Sequence, residues 1–333
     1  MRVETPAPEG EAAVPAAPAP EAFFSDKKGR PVALAVPDGP VADSHTHLSS
    51  LRHIDPALAL ARASLAGVRF LTDIVDPADD AADPASLLAD LSRWQEGCAR
   101  ILEAWAAEGV RDAAGEVPQT PRMRLLVGCH PHNARLFDDA ARGAMRTLLA
   151  DPLCSGIGEI GLDYHYDLSP RDVQRAVFRE QLELAVELDA PLSLHIREAH
   201  GEAAQIMRET GLPAAGCVLH CFDLGPEDAA PFREMGCVLG IGGAVTFKRN
   251  DPTREAVTLA PRDAIVTETD APYMAPEPLR GVPCEPAMVA QSCRFVADLR
   301  AAALGEDPAD FYAASYARTV ALFDRPSPLG ARG

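Results

Sequence analysis

The chain has 333 residues, 47% of them hydrophobic, and 49 acidic against 31 basic side chains give it a net charge of −18. That length suits one large domain or two small ones with a sizeable core, and no apolar run approaches the ~18 residues needed to cross a bilayer. The acidic excess argues against a basic groove that holds nucleic acid through many phosphate contacts. It leaves open a phosphate ester held by metal ions, where local cation charge outweighs the total.

Residues 1–37 carry Pro at positions 6, 8, 15, 18 and 20 and are rich in Ala, with no apolar periodicity. They read as a disordered N-terminal tail or a loosely packed arm. The first twenty residues have neither a basic start nor an apolar centre, so a cytoplasmic location is expected. From there, apolar runs alternate with helical patterns. The runs are Val41–Asp43, Phe70–Val75, Arg124–Val127, Ser155–Ile157, Pro191–Leu194, Cys217–Leu219, Cys237–Ile241 and Ala264–Thr267. Eight βα repeats in about 290 residues predict an α/β fold, a (β/α)8 TIM barrel. It forms a single domain over residues 38–325, with residues 326–333 as a C-terminal tail.

Two helices are well signalled, and a third is expected at the end. Asp83-Pro84 opens a stripe of Leu87, Leu91, Trp94, Cys98, Ile101 and Trp105, which reads as packing core. Ser169 precedes Pro170 at a first helical position, and Val173, Val177, Leu184 and Leu188 follow at helical spacing. The last helix is expected from Asp307-Pro308 to near Phe323. Residues 76–122 form a lengthened acidic segment between strands 2 and 3; over 73–122 there are eleven acidic and four basic side chains, a net of −7. Four aspartates between Asp76 and Asp83 read mainly as complements to the helix dipole that follows. The eight cysteines include no CxxC pair and are expected to be reduced.

In a parallel barrel the chemistry lies at the carboxyl ends of the strands. Strand 1 ends in His45 and His47, strand 3 in His130-Pro-His132, strand 4 in Glu159 to Asp163. Strand 5 ends in His195, strand 6 in His220, and strand 8 in Glu268-Thr-Asp270. Alternation along strand 1 would place Asp43, His45 and His47 on one face, with Asp43 positioned to fix the imidazole tautomers. Four imidazoles (His45, His47, His195, His220) and two carboxylates (Glu159, Asp270) are too many ligands for one catalytic ion. They suit two divalent ions bridged by a carboxylate and water. Glu159 is placed to bridge, since strand 4 offers no lysine for the carbamylated alternative. Asp270 can bind one ion and accept a proton from the attacking water.

The ordered motifs Asp43-Ser-His-Thr-His47, Gly128-Cys-His-Pro-His132, Ile157-Gly-Glu-Ile-Gly-Leu-Asp-Tyr164, His195-Ile-Arg197, Leu219-His-Cys-Phe222 and Glu268-Thr-Asp-Ala-Pro-Tyr273 closely resemble the TatD-type deoxyribonuclease family of the amidohydrolase superfamily. The resemblance covers roughly residues 41–323. It implies a (β/α)8 barrel, two divalent ions (Mg²⁺, Mn²⁺ or Zn²⁺) and hydrolysis of phosphodiester bonds in DNA, which is then a substrate and not a stable partner. Carried over by motif, His45, His47, Glu159, His195, His220 and Asp270 match the metal ligands. His130 and Arg197 match residues on the substrate side. The chain departs from the family pattern at Cys284 and Arg318, where the family has Asn, and in the long segment between strands 2 and 3.

Lys248, Arg249 and Arg280 follow strands 7 and 8 and either hold phosphate oxygens or are solvated or salt-bridged, whereas for Arg197 phosphate binding is the favoured reading. His132 is a donor to a ligand or a plain loop residue. Asp223 either orients the rim beside His220 or caps the next helix. Two rival readings remain: hydrolysis of a small amide, lactone or acyl ester on the same two-metal scaffold, and a non-catalytic binding barrel. Neither a membrane nor an obligatory protein partner is expected.

Overall fold

A computed structural model describes residues 14–330. Eight parallel strands follow one another in sequence around a single sheet: β1 (Val41–Thr46), β2 (Val68–Val75), β3 (Arg122–Val127), β4 (Cys154–Asp163), β5 (Leu192–Arg197), β6 (Cys217–Leu219), β7 (Val238–Ile241) and β8 (Ile265–Thr267). The last strand returns to the first. Thr267 Oγ1 donates to Ala42 O at 3.2 Å, Asp270 N to His45 O at 2.9 Å and His47 N to Ala271 O at 2.9 Å. Helices α1 (Pro56–Leu65), α2 (Pro84–Ala107), α3 (Asp139–Leu149), α4 (Arg171–Leu188), α5 (His200–Thr210), α6 (Pro226–Glu234), α7 (Asp251–Leu259) and α8 (Val289–Leu304) connect or cover the strands, and α9 (Pro308–Phe323) is added at the end. This is the (β/α)8 barrel expected from the alternating runs. Among the described residues no helix is long and apolar enough to cross a membrane.

Two apolar layers hold the barrel. The larger one packs the outward strand faces against the helices. The smaller one joins Phe70, Ile74, Leu126, Val218, Val238 and Val266 from the strands to Leu322 and Phe323 of α9. Leu322 packs against Gly216, just before β6, and Asp324, directly after α9, pairs with Arg122 and Arg124 at the start of β3, so α9 covers the barrel end remote from the strand C-termini.

Local chemistry sets the helix starts. The side chains of Asp55, Asp83 and Asp307 each accept a backbone N–H of the helix that follows, and a proline occupies the first turn. Helix α4 starts one residue later than expected, with Pro170 outside it and no side-chain cap. Ser169 is used elsewhere: its Oγ donates to His132 O at 2.7 Å and accepts from Arg135 N at 3.1 Å. On α2 the buried residues are Leu87, Leu91, Gly97, Cys98, Leu102 and Trp105, close to the expected stripe.

Residues 14–37, read as tail or loosely packed arm, lie against the helices; the part of that reading over residues 1–13 falls outside the described residues. Phe23 and Phe24 are buried, and the Arg62 guanidinium carbon stands 4.6 Å above the Phe23 ring. Arg62 also makes paired bonds of 2.6 and 2.7 Å to Glu285, and Trp105 Nε1 donates to Pro15 O at 2.7 Å. Among residues 326–330, Ser327 Oγ donates to Leu149 O at 2.7 Å.

Candidate metal centre

Glu159 sits at the middle of the strand-end cluster, and its two carboxylate oxygens face different imidazoles. Oε2 lies 3.5 Å from His45 Nε2 and 3.9 Å from His47 Nε2. Oε1 lies 2.6 Å from His195 Nδ1, 3.6 Å from His220 Nε2 and 3.8 Å from His130 Nε2. Asp270 completes the first group, with Oδ1 3.5 Å from His47 Nε2 and 3.8 Å from His220 Nε2. All six residues expected as metal ligands therefore converge on one rim, and His130 joins them.

The backbone brings them there. The β4–β5 pairing shifts register between Ile157 and Ile160, and the β1–β2 pairing between Asp43 and Thr46. Such irregularities re-aim side chains, and these two fall at Glu159 and His45. Gly161 has φ 152°, and a Cβ there would stand 1.8 Å from His195 O. Only glycine lets β5 approach Glu159 so closely.

Each ligand is oriented from behind. His47 Nδ1 is 3.1 Å from Ile74 O, so it carries the proton and leaves Nε2 free; His45 Nδ1 is 3.0 Å from Ser193 Oγ. His195 Nε2 is 3.0 Å from Asp163 Oδ2, turning Nδ1 toward Glu159. That same oxygen is 2.9 Å from His132 Nε2, so His132 is a partner of Asp163 and not a plain loop residue. His220 Nδ1 lies 2.9 Å from Glu268 Oε1, close but off the hydrogen-bond line. Fixing one ring nitrogen so that the other is free is how ligand histidines are held in metal sites.

The electrostatics call for added positive charge. Burial pushes the Glu159 carboxyl up, but the surrounding His220, His130, His195 and His45 outweigh it and hold it well below the usual range. Asp270 is likewise lowered, because the His47 hydrogen bond and the imidazole charges overcome burial. Against the cost of burial, Asp270 and Glu159 raise His47 to about 9, Glu159 and Asp163 raise His195 to about 9, and Glu268 raises His220 to about 9. Burial and the charge on His220 lower His45; burial and His195 push His130 well down. Without a cation the carboxylates draw protons onto their neighbours. His45 Nε2 and His47 Nε2 face each other at 3.2 Å, a spacing suited to two donors on one ion. Mixed imidazole and carboxylate donors, ionised and turned inward, fit divalent metal.

The sequence model of the family described as TatD related DNase matches residues 42–324. The chain belongs to this family. Proteins similar to it include the metal-dependent hydrolase YabD of Bacillus subtilis, 37% identical over 174 residues, 52% of this chain and 68% of that one. The 3′-5′ ssDNA/RNA exonuclease TatD of Cronobacter sakazakii is 35% identical over 201 residues, 59% of this chain and 75% of that one. The crystal structure of the Escherichia coli TatD homologue YJJV superposes with a TM-score of 0.68 at 26% identity, covering 86% of this chain and 98% of that one. This TatD-family chain is a metal-dependent hydrolase.

Several expectations change against the geometry. Asp43 does not hold an imidazole. Its carboxylate accepts from Thr269 N at 2.9 Å, Thr269 Oγ1 at 2.6 Å and the His45 backbone N–H at 3.3 Å, because the register shift breaks the strict alternation of β1. Burial raises it to about 8. Asp223 does not cap α6, whose cap is Gly225; it lines a cavity of about 650 Å³ with Arg249 and Glu255. Asp76 serves less as a dipole complement than as a tether: it accepts from His130 N at 3.0 Å and Asn133 Nδ2 at 2.9 Å. Arg197 lies outside the cluster, over the Tyr166 ring at 4.8 Å, and Arg280 lies over Phe247 at 4.1 Å. Ser193, Asp163 and Glu268 were not singled out, although the last two share strand ends with the chosen ligands.

Proposed function

We propose that this protein hydrolyses phosphodiester bonds in DNA at a centre of two divalent ions, Mg²⁺, Mn²⁺ or Zn²⁺. The observation that carries the reading is the split of Glu159, with one oxygen toward His45 and His47 and the other toward His195 and His220. His45, His47, Glu159 and Asp270 would hold one ion, and Glu159, His195 and His220 the other. When bound, such a pair supplies a water of lowered pKa and positive charge against the attacked oxygens.

The chain's own residues supply the rest. Asp270, kept ionised by His47 and His220, accepts the proton of the attacking water. His130, on the Oε1 side of Glu159, is placed to contact a phosphoryl oxygen. Arg197, at the end of β5, and Lys248, Arg249 and Arg280, beyond the ends of β7 and β8, are exposed and offer cations to phosphates of the strand. These local charges answer the overall −18. The name of the Cronobacter relative, a 3′-5′ ssDNA/RNA exonuclease, supports a polynucleotide over a small amide. The reading includes a cytoplasmic location, supported by eight cysteines that are all free.

The test is a substrate panel run on protein stripped with chelator and then resupplied with metal. Stripped protein should be inactive, and Mg²⁺, Mn²⁺ or Zn²⁺ should restore shortening of single-stranded DNA. Restored hydrolysis of small amides or lactones with oligonucleotides left intact would contradict the reading.

A further inference from the structure

The chain has two Trp, five Tyr and eleven Phe, all within the described residues. Only two of these eighteen rings are exposed, Tyr166 at 54% and Tyr273 at 57%. Both stand at the rim of the metal centre. The Tyr273 ring is 6.4 Å from that of His47. The Tyr166 ring is 5.4 Å from that of His132, which in turn lies 6.0 Å from His195. They therefore flank Glu159 from the two ends of the imidazole cluster. A protein whose other sixteen aromatic rings are buried or half-buried, yet which exposes two beside its reactive centre, has a surface for flat, weakly polar ligand groups.

Tyr166 is also held in place. Its backbone N–H donates to Asp163 Oδ1 at 2.8 Å, and that of His165 does so at 3.0 Å, while Asp163 Oδ2 holds His132 and His195. One carboxylate thus ties the Tyr166 turn to the centre. The exposed Arg197 guanidinium lies over the phenol ring at 4.8 Å, forming a cation–π stack at the rim of the centre.

Building on the nuclease reading, we infer that Tyr166 with Arg197, and Tyr273 opposite, are stacking platforms for unpaired nucleobases on either side of the scissile phosphate. Unpaired bases have free faces that a duplex does not offer. Stacking also tolerates any base, so the site selects single strands without selecting sequence.

The test uses one metal-loaded preparation and two single-stranded oligodeoxynucleotides of equal length, one fully based and one abasic at its last two positions at each end. Wild type should prefer the based strand by about tenfold or more, as expected for one or two stacked bases. Tyr166→Ala should reduce that preference by roughly tenfold, and Tyr166→Trp should keep it. Because both strands meet the same preparation, the ratio does not depend on how much of a variant folds. An equal rate on both strands by wild type, or an unchanged ratio in Tyr166→Ala, overturns the inference while leaving the nuclease reading intact. Failure of wild type to cut either strand while it hydrolyses small amides overturns the nuclease reading itself.

Discussion

Glu159→Gln should reduce turnover on the order of 10³-fold or more, the scale of losing a main electrostatic element of a catalytic site. The amide keeps the volume of the carboxylate but carries no charge. It can present an oxygen to only one of the two imidazole groups that Glu159 now faces at once, and its NH₂ turns toward the other. Raising metal concentration should recover little of the loss, because the shared ligand itself is gone. Steady-state kinetics at saturating Mn²⁺ checks this. Turnover within tenfold of wild type would show that Glu159 does not bridge.

Asp270→Asn should also cost on the order of 10³-fold in kcat, for a different reason. Asp270 has φ 56°, a left-handed conformation that Asn adopts readily, so the variant should fold with an unchanged circular dichroism spectrum. An Asn carbonyl oxygen can still face His47 and His220, so metal binding should largely persist. What disappears is the ionised group that takes the proton, and the loss should appear in kcat with KM little changed. Wild-type turnover by a folded Asp270→Asn would remove Asp270 from the mechanism.

Much of this was legible in the chain. Pro-led helix starts at Asp83-Pro84 and Asp307-Pro308 encode their own caps, and histidines at the ends of strands 1, 3, 5 and 6 mark the active face of a barrel. What stayed hidden depends on tertiary placement. Asp43 reads as the partner of an imidazole only if β1 alternates strictly, and a register shift is not visible in a short apolar run. Asp163 and Glu268 gain their roles from His132, His195 and His220, which lie 31 to 48 positions away in the chain. The proline-rich stretch before residue 38 has no periodicity of its own, yet Phe23 and Phe24 find a surface once α1 offers Arg62. Substrate-side residues are the least legible, because exposed Arg and Tyr acquire meaning only from their distance to the centre.

Two ions joined by one carboxylate would leave a distinct signature in electron paramagnetic resonance of Mn²⁺-loaded protein. Titration of metal-stripped protein should end at two equivalents per chain, with the spectrum of an exchange-coupled pair that collapses to isolated Mn²⁺ in Glu159→Gln. A single equivalent, or two ions without coupling in the wild type, would contradict the bridged pair.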